Sequence, residues 1–291
     1  MAKVSVTDQP VASQAAGDKL GTGEYALTLA EFIRECDTPI TIGIQGEWGS
    51  GKTSLLNMIR ENLETATKKV QRGAEIEGKE FYKCIWVNTW EHSLLKSPEE
   101  SLLSIIEEII DEIATVDGSW NAAAKAKSAL SNLAKGTLRI GATLSMGAAG
   151  NDLAKDLVDS GSASNTVKQL RESLESIIKT VVERTQNRTE RFVIFVDDLD
   201  RLEPYVAVQV LELLKNIFTI DKCVFVLAID YQVVVKGLTK KFGKMDEHNE
   251  WEFRAFFDKI IQLPFMMPMA QYDLDNYINS MLVDEIAFFA K

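Results

Sequence analysis

The chain has 291 residues, of which 46% are apolar and 26% charged, an ordinary balance for a soluble globular protein and enough to bury one large α/β core or two smaller ones. Acids outnumber bases 43 to 32, and the resulting charge of −11 argues against tight non-specific nucleic-acid binding, which depends on Lys and Arg neutralising phosphates. Cys36, Cys84 and Cys223 form no C-x-x-C pair and His92 and His248 stand apart, so neither a disulfide framework nor a zinc site is expected.

Residues 1–17 are rich in Ser, Ala and Gln and read as a mobile lead-in without the apolar run of a secretory signal. No window approaches the ~18 consecutive apolar residues of a membrane span, and a cytoplasmic protein without a transmembrane segment is expected. Between Leu20 and Glu35, the apolar residues Tyr25, Leu27, Leu29, Phe32 and Ile33 predict a helix packed under the first strand. Ile40-Thr41-Ile42-Gly43-Ile44 is that strand, short and β-branched.

Gly46-Glu47-Trp48-Gly49-Ser50-Gly51-Lys52-Thr53 follows the strand and meets the full G-x-x-x-x-G-K-[ST] pattern. Leu55, Leu56, Ile59 and Leu63 then recur at helical spacing. The strand–loop–helix setting is what a phosphate cradle requires: glycines let the loop curl so that successive N–H groups point inward, and the helix start adds its positive dipole end. Residues Gly46 to Ser54 are the expected ATP contacts. Lys52 would reach the β- and γ-phosphates and is expected to have no role in the core. Thr53 would place its hydroxyl on a magnesium ion, which prefers hard oxygen ligands.

A polar turn is expected at Thr67–Lys79, then a second strand at Phe81–Val87 ending in Asn88-Thr89-Trp90. Leu102, Leu103, Ile106, Ile109, Ile110 and Ile113 trace one face of a helix whose other face carries Glu107, Glu108, Asp111 and Glu112. Residues 117–165 change character, with Ala, Gly, Ser and Lys dominating. They read as an insertion of short or mobile helices, not a separate core, and Lys125, Lys127, Lys135 and Lys155 weigh against a membrane hairpin.

Amphipathic periodicity returns over Val167–Arg184. Phe192-Val193-Ile194-Phe195-Val196 is then an apolar strand delivering Asp197-Asp198-Leu199-Asp200-Arg201 to its end, the Walker-B arrangement. Asp197 is the expected magnesium partner of Thr53, and Asp198 is placed to polarise an attacking water. Asp200 and Arg201 either join the site or form a local ion pair over the strand end. Pro204 opens a helix to Phe218, Cys223–Ile229 is a fourth strand, and Ile260–Pro264 is a fifth. Strands alternating with helices predict a parallel sheet covered on both faces.

In this order, four stretches resemble the KAP P-loop NTPases: the Gly46–Thr53 loop, Val87-Asn88-Thr89-Trp90, the Asp197–Arg201 acids, and Asp258-Lys259-Ile260-Ile261-Gln262-Leu263-Pro264-Phe265. The resemblance runs from about Leu20 through nearly the whole chain. It implies a three-layer P-loop NTPase fold of the additional-strand type, with about five parallel strands in the order 5-1-4-3-2 and strand 223–229 between the P-loop and Walker-B strands. It further implies nucleotide-driven switching or assembly, and for bacterial members a link to phage exclusion. Many members carry paired transmembrane helices between the Walker motifs, whereas the 117–165 insertion is too polar to span. The domain is expected over 18–270, with 271–291 opening a helical C-terminal region that is short for the family.

The resulting expectation is a Mg-dependent ATPase acting as a conformational or assembly switch, self-associating or working on a protein effector. Lys52, Asp198 and an arginine would carry the chemistry. That arginine is Arg201, directly after the acids, or Arg254, in the helix-like Phe253-Arg254-Ala255-Phe256-Phe257. The residues leave open an interaction module that uses ATP only as a structural ligand, a nucleic-acid-stimulated motor, and a small-molecule kinase, for which no acceptor pocket is evident.

Overall fold

The computed structural model describes residues 10–13, 17–71, 81–93, 98–116, 118, 120–128, 130–131, 162–184, 189–217, 219–275 and 277–279. Its elements in chain order are α1 (Gly23–Glu35), β1 (Ile40–Gln45), α2 (Lys52–Gln71), β2 (Phe81–Asn88), α3 (Thr89–Ser93), α4 (Pro98–Thr115), α5 (Ser162–Arg184), β3 (Thr189–Asp197), α6 (Pro204–Ile217), β4 (Cys223–Ile229), α7 (Tyr231–Phe242), α8 (Glu250–Asp258) and β5 (Leu263–Met266). A 3-10 turn at Leu199–Arg201 joins β3 to α6.

The strands form one parallel sheet, β5-β1-β4-β3-β2, the order expected from the sequence. Side chains alternate between its faces, as the pleat requires. Val193 and Phe195 of β3 and Val224, Val226 and Ala228 of β4 face α1 and α2, together with Ile42 and Ile44 of β1. Phe192, Ile194 and Val196, with Phe225, Leu227 and Ile229, face α4 through α8 on the other side. Strands buried on both faces read as continuous apolar runs, which is why they were visible in the sequence. β5 is the exception: it pairs only with β1, so it is an edge strand and tolerates Pro264.

Parallel pairing carries every strand's C-terminal end to the same edge. β1 and β3 therefore deliver residues 46–53 and 197–201 to one place, with β4 between them. Asn88 ends β2 in register with Asp197.

Several boundaries differ from expectation. The fifth strand is Leu263–Met266, not 260–264, because Ile260 and Ile261 turn into the core and Ile261 fills the space beside Gly43. α2 continues to Gln71, past Thr67 where a turn was expected, and 72–80 lie outside the described residues. α1 buries Ala26, Leu29, Ala30 and Ile33 and leaves Leu27 and Phe32 exposed, since small side chains let it lie close to α2. Helix α7 had no counterpart in the sequence reading. Asp230 caps it, accepting from the Gln232 amide at 2.8 Å, and Val234, Val235 and Leu238 form its buried stripe.

Most of the 117–165 insertion lies outside the described residues. Its helical residues 120–128 place Ala123 and Ala126 in the main core, and Leu130 joins them. Of the 1–17 lead-in, Val11 is held against α2: its amide donates to Ser54 Oγ at 3.0 Å and its carbonyl accepts from Asn57 at 3.2 Å. Among the described residues no helix is long and apolar enough to cross a membrane.

Candidate functional site

The loop between β1 and α2 is shaped by its glycines. Gly49 and Gly51 have φ of 80° and 86°, a region costly for side chains with a Cβ. At Gly46 a Cβ would collide with Ser50 Oγ and with the Met267 side chain. The curl turns the amides of Gly49, Gly51, Lys52, Thr53 and Ser54 toward no backbone acceptor among the described residues, while the Leu55 amide resumes helical bonding to Gly51. Ser50 Oγ is buried without a hydrogen-bond partner. Unpaired donors around a loop at a helix N-terminus fit an anion with several oxygens.

Lys52 is 7% exposed. Its ammonium donates to the carbonyls of Gly46 (2.9 Å) and Glu47 (3.0 Å) and stands 2.8 Å from Asp200 Oδ2. Trp48, in the same loop, is 75% exposed.

Across from the loop, Thr53 stands beside the Asp197 carboxylate, which accepts from the Asp198 amide at 2.9 Å. Thr89 Oγ1 fixes the strand end by donating to the Asp197 carbonyl at 2.9 Å. Burial pushes the Asp197 carboxyl above its usual range, and the charges of Asp198 and Asp200 add to the shift against the hydrogen bonds it accepts. A half-buried hydroxyl beside a buried carboxylate, both oxygen donors, suits a small divalent cation.

Asp198 adopts a left-handed backbone (φ 59°), unusual for a residue with a side chain and frequent at functional turns. Its carboxylate meets Arg201 Nε at 2.6 Å. Burial raises its pKa, with Arg201 pulling the other way. Arg201 in turn lies over the Trp90 ring, 5.2 Å from its centre.

The fold therefore brings together Lys52, Thr53, Asp197, Asp198, Asp200 and Arg201. Arg254 is not part of this group: it projects from α8, 70% exposed, and pairs with Glu250 one helical turn away at 2.6 Å. Two contacts had no signal in the sequence. Tyr272 Oη donates to the Ser50 carbonyl at 2.6 Å, and Met267 packs on Gly46 while its amide donates to Gln45 at 2.8 Å. Tyr25 bonds Gln271, and the Asp273 amide reaches the Leu20 carbonyl at 3.0 Å, so the segment after β5 is tied to both α1 and the loop.

A five-stranded parallel sheet with this loop at the end of β1 and a carboxylate at the end of the strand two places away defines a P-loop NTPase domain, a class built around nucleotide binding. The chain belongs to the KAP family: the KAP family P-loop domain matches residues 23–286. It is also similar to the Phage T7 exclusion protein of Escherichia coli (strain K12), with 24% identity over 288 residues, covering 89% of this chain and 34% of that protein. The chain thus spans about a third of the length of this curated relative.

Proposed function

We propose that the protein binds and hydrolyses ATP with magnesium, and that the nucleotide state drives a conformational or assembly switch. The observation that carries this reading is the placement of Thr53, in the first turn of α2, beside the Asp197 carboxylate at the end of β3, which puts two oxygen donors next to the phosphate loop and Lys52. When bound, magnesium neutralises charge on the β- and γ-phosphate oxygens. Thr53 and Asp197 would hold it. The loop amides and Lys52 bind phosphate oxygens, and Asp198 orients the attacking water and draws on its proton. Arg201 supplies positive charge from within the chain, and Arg254 could do so only from a neighbouring copy.

The site is read as the centre of a domain spanning 18–270 in a cytoplasmic protein; of the helical region expected over 271–291, residues 276 and 280–291 lie outside the described residues. The similarity to a phage exclusion protein supports a role in phage defence. Measuring phosphate release and particle mass together, with and without ATP and magnesium, tests the reading: turnover with a nucleotide-dependent change in mass is the expected result.

A second reading is favoured by one contact. Arg201 occupies the Asp198 carboxylate, an arrangement that would slow water activation and suit ATP as a structural ligand ordering an interaction surface. ATP binding with negligible steady-state phosphate release would select it.

A further inference from the structure

Asp200 is the one acid of the 197–200 group that the proposed reaction leaves without a task. The Lys52 ammonium donates to the carbonyls of Gly46 and Glu47 and stands 2.8 Å from Asp200 Oδ2 as an ion pair without hydrogen-bond geometry. Lys52 is therefore held inside the protein by two carbonyls and ion-paired with an acid whose side chain is as buried as its own, each 7% exposed. A phosphate that reaches Lys52 must share the ammonium with that carboxylate or displace it. Sharing is unfavourable, because like charges a few ångströms apart in a poorly hydrated site repel strongly. The Asp197 and Asp198 carboxylates already act on Asp200's side of the site with the same sign.

The backbone around Asp200 offers a way out. Asp200 sits in the middle of the isolated 3-10 turn Leu199–Arg201, entered through the left-handed Asp198 and left through the extended Leu202. Short 3-10 pieces have poorer hydrogen-bond geometry than α-helix and serve as connectors, so little holds this one in place. The next residue in the turn, Arg201, is the one that holds Asp198 at 2.6 Å. One three-residue turn thus occupies both the phosphate-binding lysine and the water-orienting acid.

We propose that Asp200 is an internal competitor for the triphosphate: its carboxylate occupies Lys52, and its displacement by phosphate swings the 199–201 turn so that Arg201 lets go of Asp198. The device rests on the reading of Lys52 as a phosphate partner. It makes nucleotide binding weaker than the loop alone would allow, and it ties release of Asp198 to arrival of phosphate at the lysine.

The test compares Mg-ATP titrations of the wild-type chain, Asp200→Asn and Asp200→Glu. The amide removes the competing charge at nearly constant shape, so Asp200→Asn should bind about tenfold more tightly, as expected when a buried competing partner is removed. Asp200→Glu restores the charge and should return toward the wild-type affinity. Equal or weaker binding by a folded Asp200→Asn chain overturns the proposal. Amide hydrogen exchange on the wild-type chain gives a measurement independent of any variant. Adding Mg-ATP should slow exchange in 46–54 and quicken it in 199–202, and slowing in both segments also overturns the competitor. A wild-type chain with a flat titration and no protection of 46–54 removes the phosphate reading itself, and the competitor with it; that failure is seen before any variant is made.

Discussion

The Tyr272 hydroxyl donates to the Ser50 carbonyl at 2.6 Å, so the segment that follows the last strand holds the backbone of the phosphate loop. Whatever bends that segment also moves the loop, and the reverse. Tyr272→Phe should keep the fold, lose about 1 kcal/mol of stability through one neutral hydrogen bond, and weaken ATP binding several-fold. Urea unfolding and a nucleotide titration on the same preparation check both parts. Unchanged affinity with reduced stability would make the contact purely structural.

Lys52→Ala should abolish ATP binding, and it should also destabilise the chain. A lysine serving phosphate alone would be dispensable to the fold, but here its removal strands the buried Asp200 carboxylate. Breaking a buried pair from one side costs about 3 kcal/mol or more. The double variant Lys52→Ala with Asp200→Asn should recover much of that loss, because neither charge is then left unpaired. Denaturant midpoints of the single and double variants measure the difference.

Asp198→Asn and Asp197→Asn should fail in different ways. Asp198→Asn keeps the shape but loses the acceptor strength that orients water, so Mg-ATP still binds while turnover falls about 10²-fold or more. Asp197→Asn should lose the dependence of binding on magnesium. Titrations with and without the metal, alongside phosphate release, separate the two; equal losses of binding and turnover at Asp198 would assign it to the metal or to the fold.

Acidity should act on the protein in two opposite directions. Burial holds the Asp197 and Asp198 carboxyls above the usual carboxylate range. Their contribution to stability is therefore fully present below the unfolded value of about 4 and is lost as pH rises through the raised folded values. Magnesium binds the ionised carboxylate, so its stabilising effect should grow over the same rise. Thermal melts with and without magnesium at about pH 5 and about pH 8 should show the larger metal-induced shift at the higher pH.

Arg201 and Arg254 make distinguishable predictions. Arg254→Ala removes a solvent-exposed pair and should change stability by no more than about 0.5 kcal/mol. Arg201→Ala should lower turnover by about 10³-fold within its own chain. Mixing Arg254→Ala chains with Asp198→Asn chains pairs one intact site with one intact Arg254 across any shared boundary. Recovered activity in a mixture shown to co-assemble would move the role to Arg254.

The amino-acid sequence alone determined what is local or periodic. Gly46–Thr53 was legible because the cradle is built from consecutive backbone groups, and β3 and β4 because strands buried on both faces must be apolar throughout. Asp197 followed from its place at a strand end. Tertiary structure decided the partners. Nothing near Lys52 in sequence announces Asp200, and nothing near Ser50 announces Tyr272, since ion pairs and single hydrogen bonds between distant segments have no period and depend on which strands lie side by side. The same holds for α1, where burial of Ala26 and Ala30 in place of Leu27 and Phe32 was set by the closeness of α2. It holds for the arginines, where one three-residue turn put Arg201 on Asp198 while the exposed face of α8 kept Arg254 away, because a side chain's charge is fixed by its chemistry but its reach only by the packing of the element that carries it.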